Sequence, residues 1–295
     1  MTIGKFADQV VWISGATSGI GAAAARLFAA EGAKVAVVGR TAAAGRRIVD
    51  EIRHEGGQAL FTPCDVSQPA AVQDSIDWTV REFGALHVLV NNAGMVQVKM
   101  LHECSDEDWD YVMAVNVKSM FWAFKAALPH LRRQPRSHVV NVGSISSFVG
   151  QGATPVYTTS KHAILGLTRS IALDYAADGI RCNCVCPGIT DTPLLREHLN
   201  QQPDPENALA TRLRRVPLGI ALTPHDVAKA ILFFSGDESS GITGTSLVID
   251  CGYLTAAEWD TEAFKQLRGA PSPGRPAVYE PKAMTMPRGS REVVR

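Results

Sequence analysis

The sequence has no excess of charge of either sign, no long apolar run and few aromatic residues. Its 29 lysines and arginines balance its 29 aspartates and glutamates, so it offers no basic footprint for nucleic acid and no polybasic patch for a membrane surface. No stretch approaches the ~20 apolar residues of a membrane-spanning helix, and MTIGKFADQ at the start lacks the apolar core of a signal peptide. We therefore expect a cytoplasmic protein that binds neither nucleic acid nor a membrane.

Cysteine is also scarce, with six in 295 residues. Three of them alternate in IRCNCVCPG as Cys182, Cys184 and Cys186, and on a strand they would share one face, as a metal or redox cluster would need. No histidine or further cysteine completes a tetrahedral spacing, whereas an apolar strand accepts free cysteine as a small hydrophobe. We therefore predict no metal site.

Short apolar strands alternate with helical segments along the chain. Strands are predicted at 10–14, 34–39, 58–65, 86–94, 137–144, 180–188 and 245–252, and helices at 19–32, 41–55, 70–83, 106–133, from 155 onward and at 224–235. This alternation predicts an α/β fold with a doubly wound, Rossmann-like, seven-stranded parallel sheet and helices on both faces. Ligands bind beyond the carboxyl ends of such strands.

A glycine-rich segment, SGATSGIG, joins the first strand to an alanine-rich helix. Gly15, Gly19 and Gly21 would let backbone N–H groups approach a pyrophosphate at the helix N-terminus. The spacing is not GxGxxG, and a plain strand–helix turn is the alternative. Its position after the first strand favours dinucleotide binding.

Tyr157 and Lys161 lie four residues apart in YTTSK. Thr154 and Pro155 suit the N-cap and first position of a helix, which would place both side chains on one face. An ammonium group and a helix N-terminus both favour the phenolate form of a tyrosine. Tyr157 could therefore give or take a proton, although a solvated surface pair is the alternative.

Six motifs, in this order, resemble those of the short-chain dehydrogenase/reductase family over about residues 6–254. They are SGATSGIG, NNAG, Asn116 in VMAVNV, Ser144 in NVGSISS, YTTSK and PGITDTP. The resemblance implies hydride transfer between a nicotinamide cofactor and a hydroxyl or carbonyl carbon. It implies Tyr157 as general acid/base and Lys161 as its assistant and ribose ligand. Ser144 would hold the substrate oxygen, and Asn116 would position a water and Lys161.

The resemblance also implies a set of cofactor-binding residues. Asp65 and Val66 would meet the adenine, and Ile189 and Thr192 the nicotinamide amide, while Asn91 would bond the cofactor or bridge loops. The full set is Gly15, Thr17, Ser18, Gly19, Ile20, Gly21, Arg40, Asp65, Val66, Asn91, Ala93, Gly94, Tyr157, Lys161, Pro187, Gly188, Ile189 and Thr192.

The end of the second strand bears on the choice of cofactor. A carboxylate there would select NAD(H) by bonding the ribose 2′-OH, but this sequence has Gly39 followed by Arg40. A guanidinium suits a 2′-phosphate, although Arg40 could merely cover the adenine. We therefore expect NADP(H), with NAD(H) as the alternative.

Residues 190–222 match the mobile lid of the family. Beside it, Phe148, Gln151 and His198 are expected to line a pocket for a small alcohol or ketone. We interpret Arg212, Arg214 and Arg215 as a solvated helix face, and an attraction for anionic substrates is the alternative. The substrate class is a secondary alcohol, a sugar or polyol, or the matching ketone. A cofactor-binding sensor or scaffold with little turnover is the alternative function, and the intact catalytic set weighs against it.

We expect residues 1–254 to form one domain and residues 255–295 a proline-rich C-terminal extension. That extension is predicted to pack on a partner chain or across its own active-site rim, anchored by Tyr279 or Met284. The resemblance further implies a homo-oligomer, a tetramer or dimer, formed partly by the helices that carry Asn116 and Tyr157.

Overall fold

The computed structural model describes residues 4–256, in which seven parallel strands form one sheet. The strands are β1 (Val10–Ser14), β2 (Lys34–Gly39), β3 (Gln58–Pro63), β4 (Val88–Asn91), β5 (Ser137–Val142), β6 (Ile180–Pro187) and β7 (Ser246–Ile249). Their spatial order is β3-β2-β1-β4-β5-β6-β7, so the order reverses between β1 and β4. That reversal is the switch point at which open α/β sheets bind ligands, and the predicted fold class is confirmed.

Helices cover both faces of the sheet, as right-handed crossovers between parallel strands require. They are α1 (Gly19–Ala30), α2 (Ala42–His54), α3 (Pro69–Phe83), α4 (Asp106–Met113), α5 (Ser119–Leu131), α6 (Pro155–Asp174), α7 (Pro193–Asn200), α8 (Pro205–Leu213) and α9 (Pro224–Ser235). Within the described range, no helix has both the length and the apolar character needed to cross a membrane.

Two apolar cores follow from the two-residue period of the strands. Val11 and Ile13 of β1 face the core that α1, α2 and α9 complete. Val10 and Trp12 face the opposite core, which α3, α5 and α6 complete. Because both faces are covered, β1 is a continuous apolar run from Val10 to Ile13, and Ser14 is its last residue.

The structure refines three of the sequence expectations. The helix predicted over 106–133 is divided by a π-helical turn at Ala114–Lys118. The α6 helix begins at Pro155 as predicted, but the Thr154 hydroxyl donates to the Gln151 carbonyl instead of capping the helix. Cys182, Cys184 and Cys186 are free and buried in β6.

The expectations for the C-terminal extension fall outside the part of the chain that the structure describes. Its anchors, Tyr279 and Met284, lie beyond Ala256, the last described residue. The division at residues 254 and 255 and the packing of the extension therefore stay predictions.

Candidate active site

The carboxyl ends of the strands open onto a cleft of about 540 Å³, a size typical of small-molecule sites. The cleft brings together most of the predicted residues from segments far apart in the chain. Those that line it are Gly15, Thr17, Ser18, Gly19, Ile20, Arg40, Asp65, Val66, Ala93, Gly94, Ser144, Tyr157, Lys161, Pro187, Gly188, Ile189 and Thr192.

The loop from β1 to α1 has the backbone of an anion-binding turn. Gly15 and Gly19 have φ angles of +64° and +53°, which favour glycine. A Cβ atom on Gly21 would lie 2.4 Å from the Gly15 carbonyl oxygen, so Gly21 supports the turn from outside the cleft. Ser18 does not cap α1 with its side chain, which leaves N–H groups at the start of α1 for a ligand anion.

Two side chains join this loop to the end of β4. The Ser14 hydroxyl accepts hydrogen bonds from the backbone N–H groups of Asn92 and Ala93, each at 3.0 Å. The Asn92 amide donates in return to the Ser14 carbonyl oxygen at 2.9 Å. Asn92, which sequence reasoning did not select, therefore lines the cleft and holds its floor in place.

Asn91 lies elsewhere, which corrects its predicted contact with the cofactor. Its amide donates to the Asn141 side-chain oxygen at 2.9 Å, within the sheet, and the residue is buried and outside the cleft lining. Neighbouring side chains on a strand point to opposite faces, so only one of the two adjacent asparagines can face the ligand. This bond joins the strands β4 and β5, whereas the alternative expectation was a bridge between loops.

Tyr157 and Lys161 lie in the first two turns of α6, on the same side of the helix. The Lys161 ammonium nitrogen is 5.6 Å from the centre of the Tyr157 ring and donates to the Val142 carbonyl oxygen at 3.0 Å. Lys161 is only 5% exposed. A buried cation is thus held beside the phenol by the end of β5.

Ser144 follows β5 and lies on a tightly packed floor. Its hydroxyl oxygen accepts from the Ser146 N–H at 3.1 Å, which leaves its own proton for a group in the cleft. A Cβ atom on the preceding Gly143 would lie 2.9 Å from the sulfur atoms of both Cys184 and Cys186. The alternating cysteines of β6 therefore pack beneath the serine.

Asn116 lies in the π-helical turn and is fully buried. Its side-chain oxygen accepts from the Met95 N–H at 2.8 Å, and its amide donates to the Met95 carbonyl and to the Ser160 hydroxyl. A Cβ atom on Gly94 would lie within 3.6 Å of both the Asn116 oxygen and the Lys161 ammonium. Asn116 thus joins the NNAG loop to α6 next to Lys161, outside the cleft lining. Its action through a water stays a prediction.

The end of the cleft near β2 and β3 carries one exposed cation. Arg40 is exposed, and its guanidinium lies 3.4 Å from the Tyr111 hydroxyl. No carboxylate of the described residues forms an ion pair with it. A Cβ atom on Gly39 would lie 2.7 Å from the Thr17 methyl group, so any side chain there must displace Thr17.

Residues 190–222 form the opposite wall, in which α7 and α8 lie. The Leu222 N–H donates to the Ile189 carbonyl at 2.8 Å and closes the base of this segment. Gln151 and His198 line the cleft as expected, whereas Phe148 is 41% exposed and does not. Phe148 follows a short turn whose position the sequence does not fix, so the direction of its side chain could not be predicted.

The arginines of α8 and of the turn after it do not share one solvated face, which corrects the interpretation from sequence. Arg214 and Arg215 are exposed, and Arg215 lies over the Tyr253 ring. Arg212 is half-buried, lines the cleft and bonds to the His198 imidazole. Apolar lining residues that no motif marks include Met95, Val96, Leu194 and Leu195.

The residues present suit a nicotinamide dinucleotide. The glycine turn and the start of α1 provide N–H donors for a pyrophosphate, and Gly94 leaves open the space in front of Lys161. Asp65 and Val66 line the end of the cleft near Arg40. The contact of each of these residues with a particular part of the cofactor stays a prediction.

Known proteins resemble this chain over nearly their whole length. A family model described as Enoyl-(Acyl carrier protein) reductase matches residues 15–254. A Thermotoga maritima protein described as an uncharacterized oxidoreductase is 42% identical over 248 residues, or 84% of this chain and 98% of its own. Dehydrogenase/reductase SDR family member 6 of Danio rerio is 37% identical over 253 residues, or 85% and 99%.

A solved structure is also similar. Thermoplasma acidophilum aldohexose dehydrogenase in its ligand-free form matches with a TM-score of 0.78 and 34% identity, covering 88% of this chain and 99% of that one. With the glycine turn and the tyrosine–lysine pair in one cleft, these matches show that the chain belongs to the short-chain dehydrogenase/reductase family of NAD(P)(H)-using oxidoreductases.

Proposed function

We propose that the protein is an NADP(H)-preferring dehydrogenase. It transfers a hydride between the nicotinamide and a secondary alcohol, a sugar or polyol, or the matching ketone. The observation that carries this proposal is the convergence of Ser144, Tyr157 and Lys161 on one cleft that begins at the glycine turn.

In this proposal, Tyr157 moves the proton of the reacting oxygen. When bound, the nicotinamide accepts or supplies the hydride. The Ser144 hydroxyl donates to the substrate oxygen and stabilises the negative charge that develops there. Lys161, held by the Val142 carbonyl, places its ammonium group beside Tyr157, 5.6 Å from the centre of the ring. The reacting oxygen of the alcohol and that of the ketone therefore contact the same two hydroxyl groups, those of Ser144 and Tyr157.

The preference for NADP(H) rests on Gly39 and Arg40. No carboxylate at the end of β2 repels a 2′-phosphate, and the exposed Arg40 guanidinium offers a planar fork for one. Tyr111, near Arg40, holds the guanidinium at this end of the cleft.

We also propose a homo-oligomer, a dimer or tetramer, formed through α5. Met120 and Phe124 of this helix are buried, but Phe121 on the same helix is 46% exposed. An exposed aromatic group on the helix that is proposed to form the interface supports this proposal, because aromatic residues are enriched at interfaces. Light scattering should give a mass of two or four chains, whereas a monomer would overturn this part of the proposal.

A substrate panel tests the proposed reaction. Secondary alcohols, polyols and hydroxy acids with NADP⁺ or NAD⁺, and the matching ketones with NADPH or NADH, would be followed at the nicotinamide absorbance band. We expect turnover with at least one secondary alcohol and a higher kcat/KM with NADP(H). Tight NADPH binding without turnover of any panel member would instead support the sensor or scaffold.

A further inference from the structure

One arginine on the lid side of the cleft has no carboxylate partner among the described residues. Arg212 lies in the last turn of α8, is half-buried and lines the same cleft as Tyr157. By contrast, Arg196 of α7 pairs with Asp191 through two bonds of 2.7 and 2.9 Å. Arg215 lies outside the cleft, over the Tyr253 ring.

The only hydrogen-bond partner that the structure gives Arg212 within residues 4–256 is His198, and the Tyr253 phenol also interacts with its charge. An Arg212 Nη2 hydrogen points to the His198 Nε2 atom, which must accept because a guanidinium can only donate. Burial, and then the neighbouring Arg212 charge, lower the pKa of His198, which keeps this imidazole neutral. His198 therefore orients the guanidinium and leaves its other N–H groups for a ligand.

Among residues 4–256, no carboxylate supplies a counter-charge to this guanidinium. Burial lowers the pKa of Arg212, which means that the surroundings disfavour its charge, yet arginine stays protonated in proteins. Glu197 also lines the cleft but is exposed and forms no ion pair with Arg212. A partly buried cation without an anion gains most when an anionic ligand arrives.

We propose that Arg212 binds a carboxylate of the substrate, so that the substrates are hydroxy acids and the products keto acids. This inference rests on the proposed function and names the substrate class of the same site. The planar fork of Arg212 matches a carboxylate through two parallel hydrogen bonds. Met95, Val96, Leu194 and Leu195 offer an apolar lining for the carbon skeleton.

The cofactor phosphates are the competing anions. The glycine turn and the start of α1 already supply donors for the pyrophosphate, and Arg40 lies at the other end. The segment of Arg212 begins against the glycine turn, where a Cβ atom on Gly19 would lie 3.4 Å from Thr192, but Arg212 itself lies further along, in α8, and bonds His198. The affinity for NADPH therefore should not depend on Arg212.

Matched substrate pairs test the proposal through kinetics. Lactate, 3-hydroxybutyrate and 4-hydroxycyclohexanecarboxylate would each be compared with its methyl ester in the wild type, Arg212→Leu, Arg212→Lys and Arg215→Leu. We expect the wild type to favour the acid of its best pair by about ten- to a hundredfold in kcat/KM, the scale of a charge-assisted hydrogen bond. Arg212→Leu should remove this preference through KM, Arg212→Lys should restore part of it, and Arg215→Leu should keep it.

Ligand binding separates this inference from the proposed reaction. Butyrate and neutral butyramide would be titrated by calorimetry into the enzyme saturated with NADPH. Arg212-dependent binding of butyrate supports the anion site even where no hydroxy acid is turned over, a result that would overturn only the reaction. Turnover of acids and esters alike in wild type and Arg212→Leu keeps the reaction and overturns the anion site. A weaker affinity for NADPH in Arg212→Leu, with unchanged preference for acids, overturns it too.

Discussion

The two walls of the cleft are built differently. The inner wall carries Ser144, Tyr157 and Lys161, with Asn116 behind it, and of these four Asn116, Ser144 and Lys161 are buried. The outer wall is α7 and α8, where α8 buries no residue and α7 buries only Leu199. The proposed chemistry thus lies in the sheet and its core, while the choice of substrate lies in two short, exposed helices.

This difference has an energetic consequence. The buried polar groups of the inner wall are hydrogen-bonded, so removing one partner leaves another unsatisfied, at a cost of about 1–3 kcal/mol. The outer helices begin instead with local caps, in which Thr192 and Asp204 accept N–H groups of their own first turns. Changes in the outer wall should therefore alter specificity with little effect on folding.

Removing the inner-wall proton carrier should have the largest effect. Tyr157→Phe keeps the ring but loses the transferable proton, so kcat should fall by about 10²–10⁴. The affinity for NADPH, measured by fluorescence titration, should be unchanged because the phosphates lie at the glycine turn. Tyr175→Phe, at the other end of α6, is the matched control and should keep full turnover. Near-normal kcat in Tyr157→Phe contradicts the assignment.

A residue near the amino end of β5, away from the cleft, should determine how the free energy of unfolding falls in acid. His138 in β5 is 6% exposed, and burial, as the largest of several causes, lowers its pKa from 6.5 to about 4. The charges of Arg181, Arg136 and His87 contribute to the same lowering of the pKa, and Asp237 opposes it.

The unfolded chain therefore binds a proton that the folded chain refuses, and stability is lost as the pH falls from 6.5 towards 4. Between pH 7.5 and pH 5, His138 should remove about 2 kcal/mol from the free energy of unfolding. Urea titrations should show a flatter pH dependence for His138→Gln, whereas His54→Gln, at the exposed end of α2, should retain the full slope. Equal slopes in both variants would contradict this assignment.

A single methyl group should disturb the inner wall from beneath. Gly143→Ala would press against the Cys184 and Cys186 sulfur atoms and shift Ser144. We expect kcat to fall about tenfold, because misplacement by a fraction of an ångström already slows an oriented reaction. Gly150→Ala, where an added Cβ meets nothing within 4 Å, should leave kcat unchanged. Equal activity of the two variants would mean that the side chains beneath Ser144 shift to accept the added methyl group without displacing Ser144.

Substitutions of Gly39 and Arg40, at the end of the cleft near β2, should have the smallest effect on kinetics. Gly39→Asp alone would collide with Thr17 and weaken binding of both cofactors, so the carboxylate needs Thr17→Ala beside it. The double variant should lower the ratio of kcat/KM for NADPH over NADH by about tenfold, and Arg40→Ala should lower it by about fivefold. Thr17→Ala alone should leave the ratio near that of the wild type. An Arg40→Ala enzyme with both KM values raised equally would show that Arg40 does not bind the phosphate.

The bounds of strands and helices that follow from apolar periodicity could be predicted from the sequence. The directions of individual side chains could not. The strands at 10–14 and 34–39 and the helix at 224–235 match β1, β2 and α9 in full, because apolar runs and turn residues bound them clearly. The π-helical turn at Asn116 leaves no mark in the apolar pattern.

The direction of a side chain could not be predicted where neighbouring residues of the same type could each face the cleft. Asn91 and Asn92 are identical in type, and only the end of β4 decides which faces the cleft. Arg212 lies on an outer helix whose rotation depends on tertiary contacts, so its place in the cleft could not be read from RLRR. The family could therefore be predicted from sequence, whereas the substrate class could not.

The most direct test of the division between the walls is a single-turnover measurement. NADPH would be bound to the wild type, Tyr157→Phe and Arg212→Leu and mixed with an excess of the neutral methyl ester of the keto acid derived from the preferred substrate. We expect the rate of NADPH oxidation at saturating ester to fall at least about a hundredfold in Tyr157→Phe and to stay at the wild-type value in Arg212→Leu. Equal slowing of both variants, or no difference between Tyr157→Phe and the wild type, would contradict the account.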